Sequence, residues 1–241
     1  MKRTERHHLK ENEVAEWVLE LRNQYDANKN AIRYGGLAIL VLVGAVFGTI
    51  AWRSMSEGRA NAMLAEAMTV AEAPVTAPTA GEAGTLPVQP AGTYPSERVK
   101  REAALPKFMA AADAYPSSEA GLIARYRAAA TLVALGRADE GIQRYRDVSD
   151  KATGVVQAMA RLGVADAQLS AGKYDEAVAG LKAMIDQKAA DVPADGVLMQ
   201  LGRAYRLAGK KGDAKVSFQR LVDEFPQSVY AAQAKRELES L

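Results

Sequence analysis

Apolar residues run without a charge from Gly35 to Ala51, between Arg33-Tyr34 on one side and Trp52-Arg53 on the other. As a helix, Tyr34 to Trp52 would be roughly 28 Å long, close to the ~30 Å hydrocarbon core of a bilayer. Tyr34 and Trp52 stand where amphipathic rings favour the membrane interface, and the neighbouring arginines can extend to the headgroups. The pattern predicts a transmembrane helix over 34–52. A cleaved signal peptide fits less well. Its leader would be 34 residues long, and the run leaves through Ala51-Trp52-Arg53-Ser54, with Ala60-Asn61-Ala62 as a distant cleavage candidate. Arg22, Lys29 and Arg33 outnumber Arg53 and Arg59 by one, which leans toward an inside N-terminus.

Residues 1–33 form an arm. Val14, Trp17, Val18, Leu21 and Tyr25 share one helical face, with Glu11, Glu13, Glu16 and Glu20 mostly opposite. A short amphipathic helix is expected, and its acidic side suits a protein partner better than anionic lipid. His7 and His8 would point about 100° apart on a helix, so a solvated pair is expected rather than a metal site.

After the span, residues 53–73 predict a membrane-proximal helix, with helical character clearest over Gly58–Ala73. Residues 74–96 hold five of the nine prolines together with Gly81, Gly84 and Gly92. Such a segment cannot sustain a helix and predicts a flexible, partly extended loop. Helical patterning returns over Glu97–Tyr115 and continues through 97–241.

Within that last region the chain repeats itself. Gly136, Gly172 and Gly209 recur at spacings of 36 and 37 residues, each between two helical stretches and each followed by Arg or Lys. The period predicts a solenoid of helical hairpins, with glycine supplying the left-handed residue that ends each first helix. In the last unit, Leu198, Leu201-Gly202, Tyr205, Ala214, Phe218 and Pro226 resemble the tetratricopeptide repeat (TPR) in spacing and size. The middle unit keeps Ala165, Gly172-Lys173-Tyr174-Asp175-Glu176-Ala177 and Leu181, but places Gln168 at an aromatic position and lacks the terminal proline. The preceding unit keeps Ala129, Leu132, Gly136 and Tyr145, with Gly141 for alanine. Ala104, Phe108, Ala111 and Pro116 repeat the spacing of Ala214, Phe218, Leu221 and Pro226. They predict a split repeat whose first helix is Gly58–Ala73, and Val229–Leu241 predicts a capping helix. The expected fold is therefore all-α: one N-terminal transmembrane helix, then a TPR-like α-solenoid of three clear repeats, one split repeat and a cap.

Composition narrows the chemistry. Net charge is +2 with basic and acidic residues interspersed, and no basic stripe with interleaved aromatics supports nucleic-acid binding. Cysteine is absent, which removes disulfides and thiol chemistry. The sequence contains no phosphate-binding glycine loop, no Gly-x-Ser-x-Gly elbow and no histidine–carboxylate metal spacing. No catalytic residue, metal site or cofactor is expected, so the function expected is recognition.

In the resembling repeat class, the second, fifth and ninth positions of the first helices line a concave face. Carried over, these are Ile123, Tyr126 and Ala130, then Met159, Leu162 and Asp166, then Gly196, Met199 and Arg203, with Arg206 at one end. The resemblance implies a mainly apolar groove for a peptide or partner helix. The other reading is that capping helix and superhelix bury these side chains. Gly44 and Gly48 form a Gly-x-x-x-Gly pair that would allow close helix packing and a homodimer.

The layout of arm, early membrane helix and small repeat domain resembles bacterial proteins described as ancillary subunits of the Sec translocon. That resemblance implies an inner-membrane protein with a cytoplasmic N-terminus and a periplasmic domain. Its partners would be translocon subunits, a periplasmic chaperone or secretory chains, with lipid contacted through one helix. The alternatives are a scaffold for cell-envelope or cell-division complexes, which Phe225-Pro226-Gln227-Ser228 also resembles, or an accessory domain of a membrane hydrolase.

Overall fold

The computed structural model describes residues 3–78, 88–187 and 193–241, and of 3–16, 21, 23–27 and 31–32 only the backbone. The helices are α1 (Arg3–Ala71), α2 (Glu97–Ala114), α3 (Glu119–Ala134), α4 (Ala138–Lys151), α5 (Gly154–Ser170), α6 (Tyr174–Asp186), α7 (Ala194–Leu207), α8 (Lys211–Glu224) and α9 (Ala231–Glu239). No β-strand occurs among the described residues. The chain divides into two compact units, Met1–Met55 and Ser56–Leu241.

From Arg3 onward the first unit lies within α1. No proline precedes Pro74, so nothing forces a break before Ala71. The arm from Arg3, the 34–52 segment and the stretch after it as far as Ala71 are covered by this helix. It is long and apolar enough to cross a membrane. Leu40, Phe47 and Trp52 are exposed along it.

The second unit is a stack of hairpins, and its turns explain why. Gly136, Gly172 and Gly209 have φ of 81°, 73° and 74°. At each, the next residue's N–H reaches back to the third-last carbonyl of the helix: Arg137 to Leu132, Lys173 to Gln168 and Lys210 to Tyr205, at 2.9, 2.8 and 2.8 Å. The glycine N–H bonds the carbonyl one residue further on, closing a Schellman turn. One left-handed residue thus ends α3, α5 and α7 and starts α4, α6 and α8 at once.

The split repeat is visible in its packing. Ala67 of α1 joins Ala104, Phe108, Ala111, Ala124 and Leu132 in one buried cluster, with Met63, Leu64, Met68 and Ala71 against it. Lys107 of α2 pairs with Glu66 of α1. The α2 and α8 exits coincide: Tyr115 and Phe225, each before a proline, have φ/ψ of −133°/61° and −130°/59°. Of the proline-rich segment, residues 79–87 lie outside the described residues. Its ends are joined, since Val75 and Tyr94 form a parallel bridge with Thr76 N–H donating to the Tyr94 carbonyl at 2.9 Å.

At the other end α9 closes the stack. Ala231 and Ala234 enter the cluster of Leu198, Met199, Ala214, Phe218 and Leu221. The Ser228 hydroxyl donates to Asp195 at 2.6 Å, and Arg206 pairs with Glu237 at 3.2 Å.

Candidate interaction surface

The hairpins form two layers. Among the described residues, first helices of successive hairpins touch one another, α3 with α5 and α5 with α7, while no comparable contact joins α4 to α6 or α6 to α8. A stack closer on one side than the other curves toward the closer side, so the first helices form its inner layer.

That layer holds the positions expected to bind. Ile123 and Tyr126 of α3 are half-buried, as is Leu162 of α5. Met159 is 44% exposed and Val155, one turn before it, 61%. Together these side chains make an apolar strip across α3 and α5. Val155 was not among the expected residues, because it precedes the repeat's first position and only the start of α5 at Gly154 brings it onto the helix.

The third helix of the layer departs from expectation. Met199 is 1% exposed, so it is core and not groove. The reason is α9, whose Ala231 and Ala234 share its cluster, and Tyr230, whose ring lies 3.7 Å from where a side chain at Gly196 would begin. Arg203 is half-buried. Arg206 is exposed and engaged by Glu237, so it holds the cap rather than standing free at the groove's end. The accessible strip therefore shifts to α3 and α5.

Behind the strip, Tyr126 meets Tyr145 of α4 edge to face, with ring centroids 5.1 Å apart. Burial raises both hydroxyls above the ordinary tyrosine value. Tyr145 also lies against Gly163, where an added Cβ would come within 2.5 Å of the ring. Asp166, on α5 at the ninth position, has its carboxyl raised by lost hydration, with the charge of Arg203 pulling the other way. Met159, Leu162 and Asp166 thus present apolar surface ending in one carboxylate on an exposed residue.

Gly44 and Gly48 lie on α1 with no other part of the chain within 4 Å of a Cβ built there. The side chains of His7 and His8 lie outside the described residues. Among the described residues, no three His, Cys, Asp or Glu side chains are grouped to hold a metal ion.

The comparisons with known proteins agree with this geometry at one end of the chain. The family model described as tetratricopeptide repeat matches residues 197–228. No curated protein matches the chain. Two crystal structures of nearly identical TPR-like repeats, from a Podosopora anserina chain described as a kinesin light chain, are similar in fold, one of them of a variant with a single substitution. Each is 15% identical, with a TM-score of 0.48 over 59% of this chain and 77% of that one. The hairpin α7–α8 and the proline that follows it match the tetratricopeptide repeat, and the stack it closes is an all-α solenoid of TPR-like fold.

Proposed function

We propose that the protein is a non-enzymatic scaffold, anchored in a membrane through α1, that holds an apolar segment of a protein partner on the α3–α5 face. The observation that carries this reading is the strip of Val155, Met159, Ile123, Tyr126 and Leu162 on the inner layer, the first two exposed to water on successive turns of one face of α5. Anchoring is supported by the uncharged run 35–51, whose exposed apolar side chains would be costly to hydrate and belong in lipid. In this reading, which the resemblance to ancillary translocon subunits supports, the N-terminus lies in the cytoplasm of a bacterial cell, α1 in the inner membrane and the repeats in the periplasm. Partners at that address are Sec translocon subunits, a periplasmic chaperone or emerging secretory chains. Gly44 and Gly48 offer a close-packing face for a translocon helix or a second copy.

Photocrosslinking in cells from Tyr126 and Met159 tests this, with Met199 as the buried control. The expected result is capture of translocon subunits, chaperone or secretory chains from the first two positions and none from the third. Capture only of division or wall-synthesis proteins overturns the secretion assignment, and equal capture from Met199 overturns the surface.

A further inference from the structure

We propose a second binding site, on the opposite layer, for an aliphatic carboxylate. It lies between α4, α5 and α6 and does not depend on the α3–α5 strip. Because second helices stand apart, a cavity of about 230 Å³ opens between α4 and α6, lined in part by Arg146, Ser149, Arg161, Val164, Met184 and Gln187.

The register shows why the cavity exists here. Eleven residues before each turn glycine stand Arg125, Arg161 and Leu198. Leu198 is buried and fills its hairpin. Arg125 is buried too, donating to the Ala112 carbonyl at 3.3 Å. Arg161 does neither. Its Nη1 makes one long contact to Gln187 Oε1 at 3.4 Å and leaves the space beside Val164 and Met184 open.

The walls select an anion. Arg146 approaches from α4, and its nearest acid is Glu176 at 3.8 Å, which accepts a hydrogen bond from the buried Gln168 at 3.0 Å. Two arginines elsewhere are held by two-pronged pairs: Arg137 with Glu140 at 2.7 and 2.6 Å, and Arg220 with Glu224 at 2.8 and 3.2 Å. Arg146 and Arg161 each have only one long contact, to Glu176 and to Gln187, so both planar forks keep donors for a carboxylate. Between them the floor of Val164, Ala165 and Met184 is apolar and suits an aliphatic tail. Phosphate offers charge without that tail. The ligand class is thus a short carbon chain ending in a carboxylate, from a free acid or from a partner's apolar chain end.

The test is equilibrium dialysis of the full chain in lipid nanodiscs, with empty discs as blank and three labelled probes: hexanoate, acetyl-glycyl-leucine and inorganic phosphate. Saturable one-site binding of hexanoate or the dipeptide is expected, with phosphate at least tenfold weaker. Arg161→Leu and Arg146→Gln should each weaken it tenfold or more, while Glu176→Gln strengthens it by releasing Arg146. Arg146 is exposed, so its variant separates loss of binding from loss of fold. Binding of the dipeptide alone assigns the site to a protein chain end, and of hexanoate alone to a free acid. No saturable binding, equal binding of phosphate, or undiminished binding in both arginine variants overturns the proposal.

Discussion

The last hairpin, α7–α8, and the middle one, α5–α6, share a backbone and differ in what fills it. Both turn through a left-handed glycine with the same pair of back-bonds. Both are linked to the preceding hairpin by a lysine just after that glycine, Lys210 to Asp175 at 2.7 Å and Lys173 to Asp139 at 2.8 Å. In the last hairpin Leu198, Tyr205 and Phe218 occupy positions held in the middle one by Arg161, Gln168 and Leu181. Punctuation therefore sets the hairpin, while side-chain volume decides whether the space around it becomes core or surface. The filled hairpin is the one that matches the family model. The underfilled one carries both the exposed Met159 and the arginine-lined cavity.

The largest effect should come from emptying the filled hairpin. Phe218 is fully buried against Gly202, where an added Cβ would lie 2.4 Å from the ring. Phe218→Ala is expected to cost ~3–5 kcal/mol, and Leu181→Ala, at the matching position of the middle hairpin, ~2–5 kcal/mol and the smaller of the two. Urea unfolding of the full chain followed by circular dichroism reads both. A larger loss at Leu181 would reverse the ranking and with it the idea that the last hairpin is the better packed.

Glycines sharpen the comparison next. Gly202→Ala and Gly163→Ala each drive a methyl into a ring, of Phe218 and of Tyr145 respectively. Each should cost ~1–3 kcal/mol. Gly180→Ala, on the exposed side of α6 with nothing within 4 Å of its Cβ, should instead gain ~0.5–1 kcal/mol. The same unfolding measurement gives the signs, and a stabilised Gly163 variant would mean α4 and α5 are not held as closely as Tyr145 implies.

Much of this was legible before the coordinates. The glycine period gave the hairpins, because a helix end requiring positive φ leaves glycine in the sequence. Ala104, Phe108 and Ala111 gave the second half of the split repeat, because buried small and large residues alternate at fixed helical offsets. What sequence spacing could not give was coverage. Met199 and Leu162 hold the same position on their first helices, yet α9 buries the first at 1% exposure while the second stays half-buried. That difference is set by tertiary neighbours, here α9 against α7. The cavity was hidden for a similar reason. Arg161 reads as one more surface arginine until the register aligns it with the buried Leu198.

Arg161→Leu restores the filler of the last hairpin to the middle one. Filling that space should raise stability by ~0.5–2 kcal/mol, in contrast to most large replacements in a packed interior. Thermal unfolding of the variant beside the parent reads it. A lowered midpoint would show that Arg161 holds α5 and α6 through Gln187 rather than standing in for a missing side chain.

The smallest effect concerns charge, and it again sets the middle hairpin against the last, since Asp166 and Arg203 hold the same position in each. Lost hydration raises the Asp166 carboxyl above its ordinary value of 3.8 in the folded chain, with Arg203 opposing. The folded state therefore holds the proton more tightly than the unfolded one. Its stabilising contribution is full below the ordinary value, falls as pH rises through the raised one, and leaves a cost at neutral pH. Asp166→Asn removes that cost. The variant should match the parent in acid, pull ahead as pH climbs from about 4, and hold a constant lead by neutrality. Titrations common to both proteins cancel in the difference between their unfolding midpoints. In an Arg203→Leu background the lead should be larger and should level off at higher pH, because the opposing charge is gone and the folded carboxyl rises further. Parallel midpoint curves would mean Asp166 is as well hydrated in the folded chain as in the unfolded one, and that its carboxylate carries no folding cost.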